Sequence, residues 1–206
     1  MYALVSDFDG TVTTFDMAHS IIEHFVEPSV IKKLATAEHE DGKVWMSRHM
    51  KKIKASKEEF ESYVLKMAKP RGGLLETAKK AFENNIPLEI VSGGVDIYIK
   101  PFLAKMGLSG FPLYCANGKF TSGGIKLDFT LFAGIKLADF KAMRVRHYKA
   151  LGYKTIYCGD GNSDYKAALE ADIVFAAGNL LSKCRRKKIK ANELVNFKDV
   201  FQIIGV

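Results

Sequence analysis

The chain has 206 residues, of which 48% are hydrophobic and 26% are charged, and its net charge is +8. This composition is typical of a folded globular protein and argues against an intrinsically disordered chain. No apolar run approaches the roughly 20 residues that a membrane-spanning helix needs, so we expect a soluble, cytoplasmic protein with no membrane partner.

The first predicted element is a buried strand over residues 2–5, a short apolar run. After Thr13 the apolar residues take helical spacing, and this spacing continues, with interruptions, as far as the turn sequence at residues 70–73. An all-helical insertion is therefore predicted to follow the first strand. The predicted division is a core domain of residues 1–14 and 70–206 and a helical segment of residues 15–69.

Helices and strands alternate in the rest of the chain. Helices are predicted over residues 74–85, 95–106, 139–151, 164–170 and 196–204. Strands are predicted over residues 87–91, 154–158 and 172–176, with one or two hairpins over residues 111–131. Asp139 is expected to cap the helix that it begins. This alternation predicts an α/β fold whose parallel sheet is covered by helices on both faces.

Polar side chains follow three of the predicted strands. Asp7 and Asp9 come after the first strand, Ser92 after the second, and Asp160 after the strand that ends near Cys158. Ligands of open parallel sheets bind outside the carboxyl ends of the strands. If these strands are neighbours, the polar residues form one site from three distant parts of the sequence.

The spacing of Asp7 and Asp9 indicates the chemistry of this site. In an extended chain the two carboxylates lie on the same side, where they repel each other unless a cation or a proton intervenes. Mg²⁺ prefers such oxygen ligands together with phosphate oxygens. One carboxylate can attack phosphorus while the other handles the proton of the leaving group. The positive net charge of the chain also suits an anionic substrate.

The basic run at residues 183–188 has no interleaved aromatic residues of the kind that stack on nucleic-acid bases. We interpret it as a solvated face, which argues against a nucleic-acid partner. Cys115, Cys158 and Cys184 lie far apart in the sequence and show no metal-ligand spacing. They are expected to be free thiols of a protein in a reducing compartment.

Three segments resemble the motifs of the haloacid dehalogenase-like (HAD) phosphatases. Residues 7–13 are similar to motif I, residues 91–96 to motif II, and residues 158–164 to motif IV, in matching order and spacing. The resemblance implies a Rossmann-like α/β HAD core with a small helical cap inserted after the first strand. It also implies a magnesium-dependent phosphatase that acts through an aspartyl-phosphate, because Asp9 stands where phosphatases and mutases, unlike dehalogenases, carry an aspartate.

The resemblance implies roles for individual residues. Asp7 would be the nucleophile, and Asp9 would be the general acid that protonates the leaving oxygen and then the base that activates water. Asp7, Asp160 and the backbone carbonyl of Asp9 would hold Mg²⁺, with Asp164 in contact through water or behind these ligands.

Phosphoryl oxygens would be bound by Ser92, by the backbone of Gly93 and by a motif III lysine. Lys136 and Lys141 are the candidates for this lysine. Lys141 is favoured, because a cation in the first turn of a helix capped by Asp139 opposes the helix dipole. A lysine at such an unfavourable position suggests a role outside the helix.

The helical segment resembles the cap that closes over the site in this superfamily. Caps supply specificity and exclude water. Four charged residues in or beside the segment are candidates to face the substrate, with an ordinary solvated surface as the favoured alternative for each: Asp16, Glu23, Arg48 and Arg71.

Two groups of HAD phosphatases fit the sequence, and both act on small phosphorylated metabolites. One is the phosphoserine phosphatases, and the other acts on 2-hydroxy-3-keto-5-methylthiopentenyl-1-phosphate in methionine salvage. Residues 91–101, 113–117 and 164–184 are more similar to the second group. A phosphotransferase that uses a different acceptor is an alternative. A non-catalytic anion- or nucleic-acid-binding protein is disfavoured, because all four motif carboxylates are present.

Overall fold

The computed structural model describes residues 1–34 and 42–204 and has the expected α/β architecture. Within those residues the strands form one sheet in the order β4-β3-β2-β1-β5-β6-β7. Neighbouring strands are parallel except for β3 and β4, which form an antiparallel hairpin at one edge. The strands are β1 (Tyr2–Ser6), β2 (Leu88–Val95), β3 (Leu113–Thr121), β4 (Gly124–Asp128), β5 (Lys154–Gly159), β6 (Ile173–Ala176) and β7 (Asn192–Glu193).

The helices fall into two groups along the chain. The first group follows β1 and consists of α1 (Met17–Phe25), α2 (Pro28–Leu34), α3 (Gly42–Met50) and α4 (Lys57–Met67). The second group alternates with the strands and consists of α5 (Leu74–Glu83), α6 (Asp96–Lys105), α7 (Leu137–Ala150), α8 (Tyr165–Glu170), α9 (Gly178–Arg186) and α10 (Lys198–Ile204). Short 3-10 turns precede α7 and α8 at Thr130–Phe132 and Asn162–Asp164.

Strand β1 lies at the centre of the sheet, between β2 and β5. Its side chains alternate between two hydrophobic clusters, with Leu4 in one cluster and Ala3 and Val5 in the other. A strand that is buried on both faces reads as a continuous apolar run, which explains why the sequence pattern located it. Burial on both faces also fixes where the strand ends, and so fixes the position of the polar residues that follow.

The helical segment at residues 15–69 shares one hydrophobic cluster with the core. Met17, Ile21 and Phe60 pack in the same cluster as Phe8 and Phe102. The two links to the core lie side by side, because Thr13 and Pro70 form an antiparallel bridge. The division of the chain into a core and a cap therefore stays a prediction. The two linking segments lie side by side, which favours a separate cap, whereas the shared hydrophobic cluster couples the cap to the core.

Several local predictions differ from the structure. The helix predicted from Asp139 begins at Leu137, so Asp139 lies inside its first turn and is not the cap. The strand predicted to end at residue 91 continues to Val95 as β2, so Ser92 lies inside the strand and does not follow it. The hairpin region agrees with its prediction of one or two hairpins, since the described residues contain one, which turns at Ser122 and Gly123.

The structure also contains a helix that the sequence pattern did not predict. Helix α9 carries the first part of the basic run, with Leu180, Leu181 and Cys184 on its buried side. Two of its charged residues have local partners: Arg185 pairs with Glu193 at 2.8 Å, and the Lys183 ammonium lies 4.1 Å from the centroid of the Tyr165 ring. The run is therefore the outer face of an amphipathic helix and its exposed continuation.

None of the helices within the described residues is long and apolar enough to cross a membrane. All three cysteines are buried and free.

Candidate active site

The central strands bring the predicted site residues together. Ser6 at the end of β1 is paired with Cys158 of β5 and with Ile90 of β2. Asp7, which follows directly, donates its backbone N–H to the carbonyl of Cys158 at 2.9 Å. The carboxyl ends of β1 and β5 and the second half of β2, which contains Ser92, therefore lie at one edge of the sheet.

Lys141 projects into this cluster from the second turn of α7. Its ammonium group is buried and donates to Asp7 Oδ1 at 2.7 Å and to Asp164 Oδ1 at 2.6 Å. Lys136, the other candidate, is the exposed residue that precedes α7 and borders the same cavity at its rim. The geometry thus places Lys141, and not Lys136, against the nucleophile candidate.

Asp7, Asp160 and Asp164 form a tight cluster, with one oxygen of each within 4.8 Å of the others. The Thr11 hydroxyl lies 3.4 Å from both Asp7 Oδ2 and Asp160 Oδ1 and can donate to either. Burial raises the pKa of the Asp7 carboxyl well above its usual range, against the pull of Lys141, and the nearby Asp164 raises it further. Burial likewise raises the pKa of Asp160, with Asp164 as the next cause.

Among the described residues, these three carboxylates share a single ammonium group, so the cluster carries an excess of negative charge. Hard oxygen donors in such an arrangement fit a divalent cation of the Mg²⁺ type. Gly10 allows the close approach, because a Cβ at this position would lie 2.3 Å from Asp160 Oδ2, and its φ of +72° is in the left-handed region. Asp164 is held firmly, since it accepts the backbone N–H groups of Asp160 and Gly161 at 3.1 and 2.8 Å.

Asp9 lies apart from this cluster of carboxylates. Its Oδ1 accepts the N–H of Met17 at 3.0 Å, and its Oδ2 accepts the hydroxyl of Tyr98 at 2.7 Å. Burial raises the pKa of Asp9 to about 7, with the neighbouring Asp16 adding to the rise and the Tyr98 hydrogen bond opposing it. A carboxyl group with this pKa can give and take a proton near neutral pH.

Ser92 and Gly93 complete the floor of the site. The Ser92 side chain is buried, and its Oγ accepts the N–H of Gly94 at 2.9 Å. A hydroxyl that accepts one hydrogen bond can still donate another. A Cβ at Gly93 would lie 2.7 Å from the side chain of Leu137, so the strand and α7 approach closely here.

A cavity of about 590 Å³ opens above these residues. Its floor is polar and is formed by Asp7, Asp9, Ser92, Lys141 and Asp160. Its walls are largely apolar and aromatic and include Trp45, Met46, Phe129, Phe132, Ile135 and Leu137. Lys43 of α3 closes one side, since its Nζ donates to the carbonyls of Phe132 and Ile135 at 3.2 and 3.3 Å.

Comparison with known families agrees with this geometry. The model of the haloacid dehalogenase-like hydrolases matches residues 4–169. The chain belongs to this family. The family expected from the sequence motifs is therefore confirmed.

Two curated relatives and one solved structure are similar to this HAD hydrolase over nearly its whole length. A 2-hydroxy-3-keto-5-methylthiopentenyl-1-phosphate phosphatase from Lysinibacillus sphaericus (strain C3-41) is 31% identical, covering 96% of this chain and 91% of its own. The bifunctional enzyme MtnB/MtnX from Bacillus licheniformis is 30% identical over 98% of this chain, which spans 48% of that enzyme. A phosphoserine phosphatase solved as a phospho-aspartyl intermediate analogue is 20% identical, with a TM-score of 0.67, and covers 98% of this chain and 97% of its own.

The charged residues predicted to face the substrate of this HAD hydrolase are placed differently from one another. Asp16 lines the cavity and caps α1, accepting the N–H of His19 at 2.9 Å. Glu23 is exposed on α1, and Arg48 donates to the carbonyl of Leu34, so neither lines the cavity.

The fourth of these residues, Arg71, also lies outside the cavity. Its guanidinium donates to the carbonyls of Gly10 and Thr11 at 2.6 and 2.8 Å, and to that of Leu194 at 3.1 Å. Arg71 therefore anchors the loop after β1 and does not point at the ligand space. An arginine beside a turn sequence gives no sign in the sequence of whether its partners are backbone carbonyls or a substrate.

Sequence reasoning missed several residues that touch the site of this HAD hydrolase. Tyr98 and Tyr157 are fully buried and donate hydrogen bonds to Asp9 and Asp164, respectively. Trp45 stacks on His19 with ring centroids 4.4 Å apart, at the wall of the cavity. Each of these residues occupies a position that also fits an ordinary core pattern, so the sequence alone gave no signal.

Proposed function

We propose that this HAD-family phosphatase hydrolyses a small phosphomonoester with an apolar tail, through an aspartyl-phosphate on Asp7. The observation that carries the proposal is the separation of two roles at the strand ends. Asp7 lies against the Lys141 ammonium group at 2.7 Å, whereas Asp9 has no lysine partner among the described residues and a pKa of about 7. One carboxylate is thus arranged for attack and the other for proton transfer.

In the first step an Asp7 oxygen forms a bond to phosphorus, and the bond between phosphorus and the ester oxygen breaks. Protonated Asp9 gives its proton to that oxygen, and the alcohol leaves. In the second step Asp9 takes a proton from water, whose oxygen attacks phosphorus and breaks the acyl-phosphate bond. Inorganic phosphate leaves, and Asp7 and protonated Asp9 are restored.

Lys141 supports both steps by electrostatics. Its partners Asp164 and Asp7 raise the pKa of its ammonium group, although its burial opposes them, so the group stays charged at physiological pH. Together with the Ser92 hydroxyl and the Gly93 N–H, it would surround the transferred phosphoryl oxygens.

The carboxylates of Asp7 and Asp160 would hold Mg²⁺, together with the backbone carbonyl of Asp9, and Asp164 would lie behind these ligands or contact the ion through water. The oxygens of Asp164 already accept hydrogen bonds from Lys141, Tyr157 and two backbone N–H groups. The bound cation would neutralise negative charge on the phosphoryl group. The excess of carboxylates over ammonium groups in the described site supports this assignment.

The walls of the cavity support a substrate with an apolar tail. Trp45, Met46 and Phe132 line the space above the polar floor. A methylthio group suits such a surface, because sulfur is polarisable and makes favourable contacts with aromatic rings. Relatives named as phosphatases of 2-hydroxy-3-keto-5-methylthiopentenyl-1-phosphate are similar over nearly the whole chain, which favours this compound as the substrate.

Phosphoserine is the second candidate substrate. Asp16 and Lys43 carry opposite charges on the cavity wall, where they could pair with the ammonium and carboxylate groups of an amino acid. A cytoplasmic location is proposed with either substrate, in keeping with the free, buried thiols.

The experiment measures phosphate release from the methylthio substrate, from phosphoserine and from p-nitrophenyl phosphate, each with Mg²⁺. We expect the highest kcat/KM with the methylthio substrate and none above background with Asp7→Asn. Met46→Ala should raise KM for the methylthio substrate about tenfold. Asp16→Asn, which keeps a good helix cap, should leave that KM unchanged.

The opposite pattern would replace the first candidate with the second. A higher kcat/KM for phosphoserine, lost in Asp16→Asn and retained in Met46→Ala, would assign the amino-acid substrate. Hydrolysis of none of the three esters would remove the proposal altogether.

A further inference from the structure

The hydroxyl group of Tyr98 makes a hydrogen bond that the reaction described above does not use. Tyr98 lies in α6, its side chain is completely buried, and it is not part of the cavity wall. Its hydroxyl donates to Asp9 Oδ2 at 2.7 Å. Tyr98 does not line the cavity, so its hydroxyl can affect the reaction only through the Asp9 carboxyl that it contacts.

We propose that Tyr98 is a positioning residue that holds the Asp9 carboxyl in the orientation needed to protonate the leaving oxygen. This inference rests on the proposed role of Asp9 as general acid and base. Tyr98 does not contact the reacting atoms in this arrangement. It fixes one Asp9 oxygen, so that the remaining hydrogen-bonding capacity of the carboxyl is directed to the cavity that Asp9 lines.

The surrounding chain is shaped around this hydrogen bond. A Cβ at Gly94 would lie 1.9 Å from the Tyr98 hydroxyl and 2.8 Å from Asp9 Oδ2. The absence of a side chain at residue 94 therefore makes the space in which the two groups meet. Any L-residue with a side chain at this position would have to displace the hydroxyl, the carboxyl or the backbone.

The ring of Tyr98 is also held in place. It packs against Phe8, with centroids 6.3 Å apart, within the large hydrophobic cluster. The first residue of α6, Asp96, accepts the N–H of Gly118 at 2.8 Å and ties the helix to β3. A ring that packs in the core and is carried by an anchored helix presents its hydroxyl at one position, which is what a positioning role requires.

The two partners of the Asp9 carboxyl both donate to it, the Met17 N–H to Oδ1 and the Tyr98 hydroxyl to Oδ2. A protonated carboxyl keeps acceptor capacity beside its own O–H. The Tyr98 hydroxyl can therefore go on donating in both halves of the reaction, while the proton of Asp9 points to the cavity. Met17 belongs to the helical segment and Tyr98 to α6 of the core, so the Tyr98 contact holds Asp9 from the core side.

Tyr98→Phe tests the proposal, because it removes only the hydroxyl. The readout is kcat/KM for two esters in the presence of Mg²⁺, one alkyl phosphate with a poor leaving group and p-nitrophenyl phosphate, whose leaving group needs little protonation. We expect kcat/KM for the alkyl ester to fall about tenfold and that for the nitrophenyl ester to fall less than about threefold. KM for both esters should stay close to that of the unsubstituted enzyme.

Tyr148→Phe is the matched control. Tyr148 is also buried and donates to a buried carboxylate, Glu89, at 3.0 Å, but it lies outside the cavity. Its loss should leave the ratio of the two kcat/KM values unchanged. Equal losses on both esters in Tyr98→Phe, or no loss on either, would overturn the proposal. So would a Tyr98→Phe variant that fails to fold where Tyr148→Phe is folded, because that result would make the role structural.

The same assays separate this inference from the proposed function. If the unsubstituted enzyme cleaves neither ester, or if Asp7→Asn still cleaves them, the proposed function fails. If Asp9→Asn loses cleavage of the alkyl ester and Tyr98→Phe does not, only the role of Tyr98 fails.

Discussion

Helix α7 supplies cations to two buried ionic clusters that differ in composition. Lys141 meets Asp7 and Asp164, with Asp160 close by, at the edge of the sheet. One turn later, Arg144 makes two hydrogen bonds to Glu89, at 2.9 and 2.8 Å. The first cluster has three carboxylates for one cation, whereas the second is balanced and is completed by the Tyr148 hydroxyl.

The difference follows from where each carboxylate lies along its strand. Glu89 is the second residue of β2 and is completely buried, far from the end of the strand that faces the cavity. Its charge can be met only by a fixed partner. Asp7 and Asp160 come after the carboxyl ends of β1 and β5, where the cavity leaves room for a cation to offset the excess negative charge. An excess of carboxylates over cations at the end of a strand indicates a functional site. Equal numbers of carboxylates and cations within a strand indicate a structural ion pair.

The largest expected effect comes from Asp7→Asn. The amide is isosteric but a far weaker nucleophile, so we expect kcat to fall by about 10⁴-fold or more. Steady-state phosphate release measures this fall. Activity within tenfold of the unsubstituted enzyme, in protein free of contaminating phosphatase, would contradict the role of Asp7.

The same variant should unfold no more easily than the unsubstituted protein in metal-free buffer. The pKa of Asp7 is raised in the folded state, so its proton binding stabilises the fold at low pH. That stability is lost as the pH rises through the folded-state pKa, and the ionised group disfavours folding above it. Asparagine removes this unfavourable charge. Urea unfolding at neutral pH with EDTA measures the difference, and a large loss of stability would show that Asp7 belongs with the structural cluster.

Removal of divalent metal is expected to have the next largest effect. EDTA should lower kcat by more than about 100-fold, and added Mg²⁺ should restore it, because the imbalanced cluster needs a cation to bind an anionic substrate. Dialysis with EDTA followed by metal titration tests this. Full activity after exhaustive chelation would show that Lys141 alone balances the cluster.

Glu89→Gln should have the opposite profile. It leaves the Arg144 charge without its carboxylate, so we expect the free energy of unfolding to fall by about 3 kcal/mol. Because Glu89 lies outside the cavity, kcat/KM of the folded enzyme should stay within about twofold of the unsubstituted value. Urea unfolding and steady-state kinetics on one preparation measure both quantities. If Glu89→Gln lost activity while its stability stayed unchanged, the cluster at Glu89 would be functional and not structural, which would contradict this comparison.

The smallest effect is expected at an exposed ion pair. Arg185 and Glu193 lie 2.8 Å apart, but their side chains are 67% and 55% exposed. Arg185→Gln should change the free energy of unfolding by less than about 1 kcal/mol and leave kcat/KM unchanged. Thermal unfolding and the same kinetic assay check this. A clear loss of activity would give the basic run a function that its position does not suggest.

The sequence determined the central strands and the residues that follow them. Asp7 and Asp160 could be placed because a strand buried on both faces is a continuous apolar run, and polar residues at its carboxyl end lie at the edge of the sheet where ligands bind. Ser92 was placed at the same edge, although it lies inside β2 and does not follow it. Helix α9 escaped prediction because its buried side is short and the basic run dominates its composition. The start of α7 was misplaced because Asp139 is a good capping residue, although the helix begins two residues earlier, at Leu137.

The tertiary structure decided which groups meet. That Lys141 reaches Asp7 depends on how α7 packs on the sheet, and the dipole argument could only rank it above Lys136. The hydrogen bond from Tyr98 to Asp9 joins residues 89 positions apart in the sequence. The hydrogen bond from Arg71 to the carbonyl of Thr11 joins residues 60 positions apart. The local sequence pattern predicts buried segments and turns, because these depend on residues that are neighbours in the chain. The partner of a buried polar group depends on the packing of distant elements, and only the folded chain specifies it.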